Sequence, residues 1–222
     1  MILKMSEQNS ELQELLKKPI SKCIYSFLIP FLLILWIFTV LNISIDSNKT
    51  VLVFDLNNQY VSYLSYLRNM FENGNDFFYT FSKTLGGDMA GLSAYYLLSP
   101  LNIILFLFSA DKITNAIYLI ILFKIGFSGL SFYYFISKKN GFNFSTIIFS
   151  TSYALMAYNL VYQTNIMWLD GIVLLPLILL GIENIIDKKS GTLYVVALFL
   201  SIFSCYYIGY MICIFSIIYM AY

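Results

Sequence analysis

The chain has 222 residues, 59% hydrophobic and only 11% charged. Its mean hydropathy of +0.77 lies far from the balance of a soluble domain. A net charge of +1 without a long basic run gives no basis for nucleic acid as a partner, and the absence of histidine removes Ser-His-Asp and Cys-His catalysis and every His-ligated metal site.

The N-terminal segment 1–22 is polar: Glu7, Glu11 and Glu14 lead into Lys17, Lys18 and Lys22, and it reads as cytoplasmic and uncleaved. Cys23–Leu41 follows as a nearly unbroken apolar run containing Pro30, about as long as a bilayer core requires. A long loop of about 45–112 comes next. Within it Val61, Leu64, Leu67, Met70 and Phe71 recur every three to four residues, predicting an amphipathic helix on the membrane that Gly74 closes. Phe77-Phe78-Tyr79 re-enters the interface, and Leu85-Gly86-Gly87-Asp88 is a turn through which backbone can approach a ligand. Ala94–Ser109, short and interrupted by Pro100, suits an interfacial or re-entrant piece better than a full span. Ile113–Ile136, Phe144–Tyr162 and Trp168–Ile186 are expected spans. Thr192–Tyr222 is too long for one simple span, so it is two short helices meeting near Tyr206-Tyr207-Ile208-Gly209, or one tilted helix. Cys23, Cys205 and Cys213 sit in apolar runs without CxxC spacing and read as core thiols.

Positive charge arbitrates the topology. If Ala94–Ser109 stays on the outer side, Lys138-Lys139 and Lys188-Lys189 join the N-terminal lysines in the cytoplasm. Asp55, Asp88 and Asp170 then all face outward. Carboxylates at a membrane boundary are functional suspects by default. The fold class expected is an all-α, polytopic helical membrane protein: a transmembrane module over 23–222 with a long first external loop containing amphipathic helices.

The order of FDLNNQY, TLGGDMAGLSAYYLLSPLN, SYALMAYN, NIMWLDGIVLLPLILLGIE and YYIGYM resembles the YfhO family of bacterial membrane proteins, over roughly Val53 to Met211. The resemblance implies a glycosyltransferase-like protein of the GT-C type in the bacterial cell membrane. Such a protein takes a sugar from a polyprenyl-phosphate carrier on the outer face and places it on a cell-envelope polymer such as lipoteichoic acid. Family members are usually several times longer. The module is therefore expected to be incomplete at its C-terminal end, inserting in the bilayer but showing little transfer without a partner segment. The alternative is a non-catalytic membrane component: a transporter, a flippase-like protein or an accessory subunit.

The resemblance makes Asp55 and Asp170 the catalytic candidates, because attack by a hydroxyl on an anomeric carbon needs a carboxylate to take its proton. A cation facing the departing phosphate would be a divalent metal held by Asp55 and Asp170, or one of Arg68, Lys83 and Lys112. Asp88, Tyr60, Arg68, Lys83, Trp168, Tyr206 and Tyr207 are the substrate-binding candidates. Structural readings stand beside these: Asp55 and Asp170 as helix caps, Asp88 as a turn residue and Trp168 as an interfacial anchor. Lys124, in the middle of an apolar run, needs a partner, a cavity or a lipid phosphate.

Overall fold

The computed structural model describes residues 19–45, 47, 49–74, 76–83, 85–141 and 143–221. The expected polar N-terminal segment lies, up to residue 18, outside the described residues. The protein is an all-α polytopic membrane protein. Its helices are α1 (Pro19–Val40), α2 (Val61–Asn73), α3 (Ala90–Tyr96), α4 (Ile113–Asn140), α5 (Phe144–Ala154), α6 (Ala157–Val161), α7 (Leu169–Ile186), α8 (Thr192–Ser204) and α9 (Tyr206–Ala221). A π-helical turn at Leu56–Tyr60, a two-stranded ribbon, β1 (Tyr79–Thr80) with β2 (Gly87–Asp88), and 3₁₀ turns at Pro100–Leu107 and Ala110–Lys112 complete the described elements.

Ile20–Val40, Ala110–Asn140 and Leu169–Ile186 are long and apolar enough to cross a membrane. Phe144–Tyr162, expected as a span, is instead divided. The α5 helix has 11 residues, about 16 Å at 1.5 Å per residue. It stops because buried Asn159 donates its side-chain amide to the carbonyls of Tyr153 and Ala154, satisfying acceptors that another turn would have used. The doubtful segment is broken too: α3 and Pro100–Leu107 meet at 95° around Ser99. Residues 192–221 form two helices that reverse at Cys205, which is extended (φ −158°, ψ 102°). A Cβ on Gly209 would lie 2.6 Å from the Ile202 Cα, so only glycine lets α9 fold back this closely on α8.

Helices α1 and α4 run antiparallel, with Phe27 against Phe123 and Phe127 at one level and Phe38 against Tyr118 at another. Pro30 supplies no N–H to the Ser26 carbonyl four residues earlier. That carbonyl lies against Gly129, where a Cβ would overlap it. The α2 pattern is realised against protein rather than lipid: Leu64, Leu67 and Met70 are buried in the core, and Phe71 alone of that face is exposed, touching Phe106. Gly74 ends α2 in left-handed backbone (φ 70°), its N–H on the Met70 carbonyl. Gly86 is less open than expected. It turns the ribbon at φ 96°, and a Cβ there would overlap the Tyr79 hydroxyl.

The bundle has two chemically distinct ends. At one, Lys139 pairs with Glu183 and Lys189 with Asp187. At the other, Tyr60 reaches Asn165, and Trp168 reaches Tyr95. On the positive-inside rule the lysine end is expected to face the cytoplasm. A membrane-impermeant maleimide should therefore label Leu85→Cys, a position 95% exposed, in intact cells, and Lys188→Cys only after permeabilisation. The native cysteines would be replaced by alanine for this measurement. The opposite pattern would invert the orientation.

Candidate active site

The stretch Val53–Tyr60 builds the first part of the site. Phe54 holds φ 50°, a conformation a bulky side chain rarely adopts, and such strain gathers at functional positions. Asp55 follows it, exposed, and opens a π-helical turn over Leu56–Tyr60. In an α-helix, residues five apart lie about 140° from each other around the axis. The i→i+5 winding of the π-turn brings Asp55 and Tyr60 onto one side. The Tyr60 hydroxyl lies 3.5 Å from Asp55 Oδ2 and 3.2 Å from Asn165 Oδ1. Burial, and then the Asp55 charge, hold the Tyr60 phenol far above its ordinary pKa, so the hydroxyl keeps its single proton and donates it to one oxygen at a time. Asp55 makes no side-chain cap bond to its helix. The capping role open to it in the sequence is therefore not the one it performs.

Around this pair lies a continuous aromatic array drawn from separate elements. Tyr96 stacks obliquely on Tyr60 and Tyr63, with centroids 5.3 and 5.1 Å apart, and Tyr95 on Tyr96 at 4.4 Å. Tyr95 in turn meets Tyr206 and Tyr207 at the α8–α9 reversal and accepts the Trp168 indole N–H at 3.4 Å. Four residues named from the sequence, Tyr60, Trp168, Tyr206 and Tyr207, are thus brought together. Tyr63, Tyr95, Tyr96 and Asn165 were not anticipated. The paired tyrosines of YYLLSPLN were visible as a motif, but their convergence with Tyr60 depends on the break at Ser99.

Asp170 is placed otherwise. It is 5% exposed, with Oδ2 2.8 Å from the Lys124 ammonium and Oδ1 accepting the Ser99 hydroxyl at 3.0 Å. Lys124, 1% exposed, also donates to the Ile166 carbonyl at 2.8 Å. Its required partner is therefore Asp170. The ion pair is buried where α4, the Ser99 turn and the first turn of α7 meet. Neither a solvent-facing base nor a helix cap describes Asp170. This geometry also does not fit a metal held jointly by Asp55 and Asp170, because a lysine occupies the cation's position on Asp170. No group of three potential acidic or cysteine ligands occurs among the described residues.

The remaining candidates lie elsewhere. Arg68 is buried, clasping Glu72 at 2.6 Å and donating to the carbonyls of Phe108 and Leu105, so it fastens the 3₁₀ turn to α2. Its hydrogen bonds hold Glu72 below the usual carboxylate range. Lys83 donates to the Asp88 carbonyl at 2.9 Å across the ribbon. The Asp88 carboxylate accepts from the N–H groups of Ala90 and Gly91, starting α3, which is the turn role its sequence setting suggested. Lys112 precedes α4 at the end of a short 3₁₀ turn.

No curated protein and no solved structure matches the chain. The family model described as "Bacterial membrane protein YfhO" matches residues 26–222, including every element of the aromatic array and both aspartates. The chain belongs to the YfhO family of bacterial membrane proteins.

Proposed function

We propose that the chain is the membrane module of a glycosyltransferase of the GT-C type, with its N-terminus in the cytoplasm and Asp55 as its general base. The donor is a polyprenyl-phosphate-linked sugar, and the acceptor is a hydroxyl of a cell-envelope polymer such as lipoteichoic acid. The acceptor oxygen forms a bond to the anomeric carbon as the bond from that carbon to the phosphate oxygen breaks. The acceptor proton passes to Asp55, and the electron pair leaves with polyprenyl phosphate. The observation that carries this reading is the exposed Asp55 carboxylate, uncommitted to capping, beside a strained residue and oriented by Tyr60. Aromatic faces such as Trp168 and Tyr207 suit a pyranose ring, whose C–H face packs on π surfaces. Lys124 and Asp170 act as positioning residues: the lysine pins Ile166, the neighbour of Asn165.

A second reading, a non-catalytic transporter or accessory subunit, is favoured by one observation. The Lys124–Asp170 pair is buried between helices of the bundle, and ionisable groups so placed also mark transport pathways. One experiment separates the two. Vesicles containing the full-length protein receive polyprenyl-phosphate-linked sugar and acceptor polymer on the outer face. Glycosylated polymer with free polyprenyl phosphate supports the transferase, whereas movement of the intact lipid-linked sugar across the bilayer without transfer overturns it.

A further inference from the structure

The lysine-bearing end of the bundle holds a cavity of about 820 Å³ between the ends of α4, α7, α8 and α9. This is a volume suited to a small molecule or a headgroup. Lys138, Lys139 and Lys189 line it together with Glu183 and Asp187, three cations against two carboxylates. The carboxylates are unequally committed. Glu183 accepts from Lys139 at 2.5 Å and from the Tyr219 hydroxyl at 2.6 Å, which closes the floor and consumes its charge. The Lys189–Asp187 pair is solvent-exposed, its side chains 65% and 58% accessible, and such pairs are weakly held. Lys138 makes no ion pair among the described residues; its ammonium rests 5.0 Å over the Tyr134 ring. The cavity lining therefore presents one unneutralised ammonium, Lys138, and one easily exchanged one, Lys189.

The lining is also partly apolar. Leu180, Leu193 and Ile186 line the cavity, and Ile186 continues onto the exposed apolar surface of the bundle. A ligand here meets both cations and hydrocarbon. A soluble anion would use only part of that lining.

We propose that this cavity binds the phosphate headgroup of an anionic phospholipid, with Lys138 and Lys189 on the phosphate and an acyl chain leaving along the apolar residues. Basic pockets between transmembrane helices on the cytoplasmic side recognise headgroups in this way. The inference is independent of the transferase reading, since it concerns the opposite end of the bundle.

The test is native mass spectrometry of the purified protein released from micelles holding equal phosphatidylglycerol and phosphatidylcholine. Wild-type protein should retain the anionic lipid over the zwitterionic one by about 30-fold, two lysines' worth of headgroup attraction. The Lys138→Gln/Lys189→Gln double variant should fall to near parity. Both positions are exposed, and each single substitution should lose part of the preference should the double variant not fold. Equal retention of the two lipids by wild-type protein, or a preference unchanged by the substitutions, overturns the proposal. So does thermal stabilisation by free glycerol phosphate matching that by phosphatidylglycerol, which would assign the cavity to a soluble phosphate.

Discussion

On the proposed reading, Asp55→Asn in the full-length protein is expected to lower sugar transfer by about 10²–10⁴-fold, the usual contribution of a general base, while expression, membrane insertion and thermal stability remain those of wild type. The second half of this expectation gives the first its force. Asp55 is exposed and makes no cap bond, so its stabilising role is confined to favourable charge at a helix start, about 0.3–1 kcal/mol. Asparagine keeps the size of the side chain and an acceptor for the Tyr60 hydroxyl, but it cannot take a proton at neutral pH. Tyr60→Phe removes one long hydrogen bond, to the Asp55 carboxylate or to Asn165, and leaves the base. It should cost far less, roughly 1 kcal/mol or about fivefold. Radiolabelled sugar recovered in polymer, measured beside a melting curve for each variant, checks both. Wild-type turnover in the asparagine variant would end the assignment, and a large loss of melting temperature would show that Asp55 supports the fold instead.

Which parts of this site could be read in the chain follows from the range of the forces involved. Apolar runs long enough to span a bilayer announce themselves residue by residue, and so did α1, α4 and α7. Gly74 was legible because a helix end requiring left-handed backbone is a local event. The failures depend on side-chain partners that hydropathy does not record. Phe144–Tyr162 looks continuous in hydropathy, yet a single buried amide, Asn159, ends it from five residues downstream. The Leu64–Met70 stripe specifies an apolar partner but not whether that partner is lipid or protein. Lys124 had to be paired on cost alone, but nothing local said that its partner would be Asp170, 46 positions away, rather than a lipid phosphate. Asp55 and Asp170 look alike in sequence, each an acid at a helix start beside aromatics. Only folding separates them, because the break at Ser99 and the ammonium of Lys124 both converge on Asp170.

That separation leads to the largest expected effect on stability. Among the described residues, Lys124→Met leaves the buried Asp170 carboxylate with the Ser99 hydroxyl alone, and Asp170→Leu leaves a buried ammonium with the Ile166 carbonyl alone. Removing one partner of a buried pair typically costs about 3–5 kcal/mol, because the remaining charge has lost both water and its counter-ion. The double variant carries no such charge. Replacing a buried ion pair with apolar residues of similar volume is often neutral or even stabilising, so Lys124→Met/Asp170→Leu should regain most of the stability that either single variant loses. Unfolding in a detergent titration of all four proteins measures the coupling directly. Single variants that unfold together with wild type would show that water reaches the pair. Transfer activity should follow a different course from stability. The double variant still lacks the Lys124 hydrogen bond to Ile166, and with it the restraint on the turn carrying Asn165, the acceptor for Tyr60 beside Asp55. Stability restored with activity still depressed is the signature of a positioning pair. Full recovery of both would make Lys124 and Asp170 structural alone.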